Sequence, residues 1–400
     1  MRSTMDLVEI DELDKTKSNG RFAHKVIRVR KKPRKASRRL KQKYQNLWYL
    51  KIDKDTFEDY TPLSDSDSEQ TDLKLSAEEA ADKNAVFEVV AQEFFRLFIP
   101  SHPKTRLVLD TENDIHYIMS KHVPGYRALD TVNKDELREG IKNGMFTGLG
   151  DVLVIALLLN EIDLKFGNLC LNEHNQIIKI DGDRCFARIN GFKNKNYYIT
   201  EADIVSLPFI YDYFAYNWLD LILHEPVGLH KQKAIRSEPR SIDVEISSHP
   251  RFRAEVNRAL LKVILLPDDL IGDFIASYAD LDSDIAEIYE EVLDRKSQLF
   301  KAAVYNQSFR RYLSSMEAVK LAHDYAEYLK KFKTTGKHTL PMDKYEKEII
   351  HNYLDLRARL VNEVKPRRSV RFKGTLFSEK ARTGSCKEDI SAKQNKTPGP

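Results

Sequence analysis

Asn160-Glu-Ile-Asp-Leu-Lys-Phe-Gly-Asn168 and, after a short apolar stretch, Lys179-Ile-Asp-Gly-Asp183 decide how this chain is read. The first segment puts an acid, a lysine and an amide on one loop. The second puts two acids at the end of the next strand-like stretch. Asp163 to Asn168 is five positions, and Asp163 to Asp181 is eighteen. Between them, Leu169-Cys-Leu171, the polar Asn172-Glu-His-Asn-Gln176 and Ile177-Ile-Lys-Ile180 read as strand, turn and strand. A hairpin returns the chain to its starting end, so Asn168 and Asp181 are expected close together, where one ion touches both. Taken singly, each of these residues reads first as a turn former. As a set they match the needs of phosphoryl transfer from a nucleotide. One carboxylate orients a hydroxyl, while an amide and a second carboxylate hold Mg²⁺ against the phosphates.

Asp163-Leu-Lys-Phe-Gly-Asn168 resembles the catalytic loop of eukaryotic-type protein kinases, H-R-D-L-K-x-x-N, and Asp181-Gly-Asp183 falls where that family carries D-F-G. The departures are plain: Glu161-Ile162 replaces His-Arg, Gly182-Asp183 replaces Phe-Gly, no A-P-E follows, and no glycine-rich loop precedes. The chain is therefore more similar to divergent kinases: HipA-type toxin kinases, phosphoinositide kinases and, above all, kinase-like type IV secretion effectors of Legionella. Ile118-Met-Ser-Lys-His-Val-Pro-Gly125, Asp203-Ile-Val-Ser-Leu-Pro208 and Tyr216-Asn-Trp-Leu-Asp220 extend the likeness to the effectors over residues 25–235.

The resemblance implies an ATP- and Mg²⁺-dependent phosphotransferase. Asp163 is the candidate catalytic base, and Lys165 the residue offsetting charge on the transferred group. Asn168 and Asp181 are candidate metal ligands; Asp183 is a third, or else the partner of Arg184. Lys51, within the strand-like Leu47-Trp-Tyr-Leu-Lys-Ile52, is the candidate nucleotide-contacting lysine. Its counter-charge is expected to be Glu88, with Glu93 as the rival. Residues 120–125 would form the hinge, with Met119 and Lys121 as nucleotide contacts. The acceptor is expected to be a protein Ser/Thr or phosphoinositide hydroxyl. The alternative is a pseudokinase that binds a polyanion or host partner without catalysis, because no glycine occurs from Arg21 to Lys51. Trp218 and Asp220 read as core packing, or as a brace beneath the catalytic loop.

Four hundred residues of ordinary hydrophobic content suffice for two or three globular units. The longest apolar run, residues 152–159, is far short of the ~20 a membrane-spanning helix needs. No apolar leader stands at the N-terminus. The three cysteines, Cys170, Cys185 and Cys386, make neither a disulfide framework nor a thiolate zinc site, which points to a reducing cytoplasm, a host cytosol on the effector resemblance. His102, His116, His122 and His174 have no partner at metal-ligand spacing. Charge is uneven: Arg28 to Lys43 holds ten Lys or Arg and no acid, and residues 365–400 hold ten basic against three acidic residues. The first run is a candidate contact for an anionic membrane surface or an inositol phosphate, with a solvated face as the plain alternative. Nucleic acid is not the expected partner, since no recognition motif accompanies the basic run.

The expected fold class is α+β: a two-lobed, kinase-like fold with a C-terminal all-helical extension. Residues 1–20 read as a flexible N-terminus, 21–121 as a small lobe, 122–235 as a large lobe, 236–364 as the helical extension and 365–400 as a disordered basic tail. Strands are expected over 24–30 (an edge strand), 47–52, 105–109 and 116–119, and one or two helices over 77–98 with Phe87, Val90, Phe94 and Leu97 on one face. Residues 64–69 read as a solvated acidic insert. Residues 134–142 and the strongly apolar 149–160 are expected helices, 203–223 a helical segment broken at Pro208. The extension reads as helices over 250–266, 267–278, 283–303, 307–333 and 341–364.

Overall fold

Short stretches rich in β-branched and aromatic residues, set around one long apolar helix, build the N-terminal half. The computed structural model describes residues 5–6, 10–14, 25–31, 47–52, 77–110, 115–187, 189, 198–210, 218–219, 239, 241–278 and 282–362. Six strands form one sheet: β1 (Met5–Asp6), β2 (Ile10–Asp14), β3 (Lys25–Lys31), β4 (Leu47–Ile52), β5 (Thr105–Asp110) and β6 (Ile115–Lys121). Their order is β1-β5-β6-β4-β3-β2, antiparallel except for the β1–β5 pair.

Helix α1 (Ala77–Phe98) links β4 to β5 in the chain. Its expected stripe of Phe87, Val90, Phe94 and Leu97 is buried, but so are Val89, Ala91, Phe95 and Phe98. The sheet covers one side of α1, and helices from later in the chain cover the other. A helix enclosed on both sides buries more than one stripe, here including the polar Glu88, Gln92, Glu93 and Arg96. Each fully buried Phe or Leu there contributes roughly 1.5–3 kcal/mol.

The remaining chain is mostly helical. A second, three-stranded sheet joins β7 (Arg127–Ala128) to the hairpin β8 (Leu169–Leu171) and β9 (Ile177–Lys179). Helix α2 (Lys134–Asn143) is capped by the Asn133 side chain and ends at Gly144 in the left-handed region, with φ 80°. Helix α3 (Leu149–Leu158) is buried along its whole length. Then come α4 (Glu201–Ser206), α5 (Ser241–Ser248), α6 (Pro250–Leu265), α7 (Asp268–Ala276), α8 (Asp282–Tyr305), α9 (Gln307–Leu313), α10 (Met316–Lys331) and α11 (Met342–Asn362).

The helices over 241–362 are the outer wall of the α3 core rather than an appendage, and the chain to Asn362 forms one compact unit. Close approach is possible because Gly150 of α3 has no side chain; a Cβ there would lie 2.7 Å from Glu255 Cβ. Glu255 accepts a hydrogen bond from the Gly150 N–H at 3.1 Å, and Asp151 pairs with Arg258 at 2.9 Å. The same helices bond to carbonyls in the last turns of α1 and α3. Lys262 donates to Phe98 O at the end of α1, and Arg295 to Leu157 O at the end of α3, each at 2.8 Å.

Several expectations need correction. Within residues 1–20, the described segments 5–6 and 10–14 are strands. The strand near 24–30 is not an edge, because β2 pairs outside it. The helix expected over 307–333 is two, divided at Ser314–Ser315, where the Ser315 side chain caps α10 through the Ala318 N–H. Helix α4 stops before Pro208. Residues 32–43, 64–69, 211–217, Asp220, Cys386 and the tail 365–400 lie outside the described residues. Among the described residues no helix is long and apolar enough to cross a membrane.

Candidate active site

The catalytic-loop candidates hang from the end of α3. Asn160, with φ 49°, turns the chain out of the helix. Glu161 follows with no exposed surface and gathers three donors: the Asp163 N–H at 2.7 Å, Lys179 Nζ at 2.9 Å and Cys185 Sγ at 3.1 Å. Burial pushes the Glu161 carboxyl up and Lys179 opposes it. Burial alone would lower the Lys179 ammonium; Glu161 outweighs it and holds it above its ordinary value. This buried pair fastens the loop to β9, and the Cys185 thiol fastens it to the segment beyond Asp183.

Asp163 is nearly buried, and its Oδ2 accepts from Lys165 Nζ at 2.6 Å and from Asn168 Nδ2 at 3.1 Å. Asn168 Nδ2 also donates to the Asp163 carbonyl at 2.9 Å, so the amide oxygen is the end left for other partners. The β8–β9 hairpin has the expected form. Asn172 Oδ1 accepts from the N–H groups of His174 and Gln176, both at 2.9 Å, and closes the turn. Pairing of Leu169 with Lys179 and the Ile180 N–H to Asn168 O bond, 3.0 Å, bring the backbone before Asp181 alongside Asn168.

Lys51 reaches the same region from the six-stranded sheet. Its Nζ lies 2.8 Å from Glu88 Oε2, 3.2 Å from Asp181 Oδ1 and 4.0 Å from Asp183 Oδ2. Arg184 Nε stands 4.0 Å from Asp183 Oδ2. Three carboxylates therefore face one ammonium. Burial would lower Lys51, but Asp181, Glu88 and Asp183 together hold it well above its ordinary value. Burial pushes Glu88 up to about 7, with Lys51 opposing and Asp181 and Asp183 adding. Glu88 is thus the counter-charge that the structure selects. Glu93 is committed elsewhere, accepting from the Thr105 N–H at 2.8 Å, Arg96 Nε at 2.9 Å and Tyr278 Oη at 3.1 Å.

Asn168, Asp181 and Asp183 carry oxygen donors, the kind a hard divalent cation takes. Among the described residues no three His, Cys, Asp or Glu are grouped to hold a metal. Mg²⁺ characteristically takes only one or two carboxylates and completes its shell with phosphate oxygens and water, so it does not require such a group.

Met119 and Lys121 are not brought to Lys51. Lys51 pairs with Ile118 across β4 and β6, while Met119 pairs with Leu50 and Lys121 with Trp48. Side chains alternate faces along a strand, so both project from the opposite face. Met119 is fully buried, and the Lys121 N–H is taken by Lys104 O at 2.8 Å. His102 is buried against the Phe95 ring and lowered to about 3 by burial. Trp218 donates to Pro208 O at 2.8 Å, while Asp220 lies outside the described residues.

Four further residues complete the region: Glu161, Lys179, Gly182 and Phe186. Gly182 lies under α1, where a Cβ would stand 3.1 Å from Gln92 Nε2 and 3.3 Å from Ala91 Cβ. Phe186 meets Phe87 edge-on, with centroids 6.2 Å apart, one residue before Glu88. Glu161 and Lys179 carried a readable signal, since an acid between two apolar stretches and a lysine inside an apolar strand need partners if buried. A scan against protein-family models finds no match for this chain, and a search of curated proteins finds none either.

Proposed function

We propose that this chain is an ATP- and Mg²⁺-dependent phosphotransferase of two-lobed, divergent kinase-like architecture, acting on a protein Ser/Thr or phosphoinositide hydroxyl. The observation that carries it is the meeting of Lys51 with Glu88 and Asp181, residues 37 and 130 positions away in the chain. A scaffold has no structural need to sequester a lysine among three carboxylates beside a loop that holds Asp163, Lys165 and Asn168.

Bound MgATP supplies the transferable phosphoryl group and a counter-charge for its oxygens. Asp163 orients the acceptor hydroxyl and receives its proton. Asn168 keeps Asp163 in place through Nδ2 and offers its amide oxygen to the cation together with Asp181 and Asp183. Lys165 lies at the Asp163 carboxylate and can turn to offset charge developing on the transferred group. Lys51, steadied by Glu88, holds phosphate oxygens. On the same resemblance to secreted effectors, the enzyme works in a host cytosol.

The glycine-free stretch from Arg21 to Lys51 favours a second function, a binding scaffold without catalysis. Incubation of the pure chain with labelled ATP, a protein panel and phosphoinositide vesicles separates the two. Asp163→Ala should abolish transfer while keeping nucleotide binding, and Asp181→Ala should remove the Mg²⁺-dependent part of that binding. Absence of transfer to every acceptor, with no thermal shift on adding MgATP, would sink the phosphotransferase.

A further inference from the structure

A cleft of about 320 Å³ opens between the turn after α1, the start of β5, the end of β6 and the end of α10. It shares no residue with the Lys51–Asp181 cluster or the Asp163 loop. Five cations line it, Arg96, Lys104, Lys121, Lys331 and Lys333, and no carboxylate does. Two of the five are answered from outside the cleft: Arg96 by Glu93, and Lys331 by Glu327 at 2.5 Å. The other three have no ion pair among the described residues.

Hydrogen bonds to main-chain carbonyls link the segments that carry these cations. The Lys121 N–H donates to Lys104 O, and Arg96 donates to Lys333 O, both at 2.8 Å. Like charges gathered together repel, and the Lys104 ammonium registers it: burial lowers it first, then Arg96, with Glu93 only partly opposing. An anion entering the cleft removes that penalty and gains charge-assisted hydrogen bonds. A cleft of this size suits a small ligand. A polynucleotide would ask for an extended basic stripe instead.

We propose that this cleft binds a compact anion bearing two or more phosphate groups, gripped by Lys104, Lys121 and Lys333, so tying the end of β6 to the segment after α10. The site is independent of the phosphotransferase assignment, and its test reads binding rather than transfer.

Calorimetric titration of the full chain without Mg²⁺, using inorganic pyrophosphate and inositol trisphosphate, should give saturable binding that weakens with salt. Lys104→Gln and Lys333→Gln should each weaken it about tenfold, a charge-assisted contact being worth roughly that. Both side chains reach solvent, so the variants should melt with the parent chain. Lys51→Ala should leave this binding intact, which separates the cleft from the nucleotide site. Vesicles of phosphatidylcholine with phosphatidylinositol bisphosphate form the second arm. Capture of vesicles that the same variants abolish identifies a lipid headgroup as the source, and binding of the free anions alone identifies a soluble one. The proposal is overturned if no probe binds at millimolar concentration, or if binding survives Lys104→Gln and Lys333→Gln but is lost in Lys51→Ala.

Discussion

Lys179 Nζ and Glu161 Oε2 lie 2.9 Å apart with side-chain exposures of 1% and 0%. Removing one partner of such a pair strands a charge, which costs roughly 3–5 kcal/mol. Lys179→Met should therefore lower unfolding stability by about that amount in urea. Glu161→Leu combined with Lys179→Met should recover most of the loss. It should not recover all, because the Asp163 N–H then lacks its acceptor, a deficit of about 1–3 kcal/mol. Transfer activity should stay low in the double variant, since the loop carrying Asp163 has lost its anchor. Equal stability of Lys179→Met and the parent chain would show that the pair is not buried as described.

Glu88 predicts a pH dependence. Its carboxyl is pushed up to about 7 in the folded chain, against an unfolded value near 4.3. The folded state thus holds this proton more tightly than the unfolded state does. Its contribution is fully present below the unfolded value and is lost as pH rises through about 7. The slope is at most about 1.4 kcal/mol per pH unit for one proton. Glu88→Gln should flatten the melting temperature across that window and raise it above pH 7, while lowering transfer because Lys51 loses its fixed partner. A window unchanged by Glu88→Gln would assign the titration to another group.

Several of these elements were legible in the sequence. The β8–β9 hairpin followed from apolar stretches around a polar turn, and α3 from an unbroken apolar run. The Lys51–Glu88 pair needed more. Glu88 and Glu93 lie on the same helix and both are buried, so only the docking of α1 on the sheet distinguishes them. The first strands escaped notice because residues 1–20 look merely acidic. In the β2–β3 register Asp11 pairs with Arg30 and Asp14 with Arg28. Met119 and Lys121 follow from the motif order alone, whereas the period of two sets their side chains on the face opposite Lys51.

The turn after α10 clamps α1, and so bears on Glu88 from a distance. Tyr278 Oη donates to Glu93 and accepts from the Thr335 N–H at 3.0 Å, while Thr335 Oγ1 donates to Thr105 O at 2.6 Å. Gly336 makes this fit possible: a Cβ there would stand 2.4 Å from Ser277 O, a backbone atom that cannot step aside. Gly336→Ala should therefore lift the turn from α1, speed amide exchange along α1 and reduce transfer, while a Tyr278→Phe change alone should cost about 1–2 kcal/mol. Unaltered exchange in α1 would show that the turn merely rests there.

Gln92 gives the last prediction, one of opposite sign. It lies on α1 one turn after Glu88, 1% exposed, and neither its Oε1 nor its Nε2 has a hydrogen-bond partner among the described residues. Burying an unpaired amide costs roughly 1–3 kcal/mol. Its nitrogen stands against Gly182, between the two acids of the Asp181-Gly-Asp183 turn. Methionine is close in volume and carries no such groups, so Gln92→Met should raise unfolding stability by about 1 kcal/mol or more in urea. If the amide serves instead to hold the Gly182 peptide when nucleotide is bound, the same variant should be more stable yet bind MgATP more weakly. Loss of stability in Gln92→Met would mean that the amide already has a partner, and that this turn is held by a bond the present conformation does not contain.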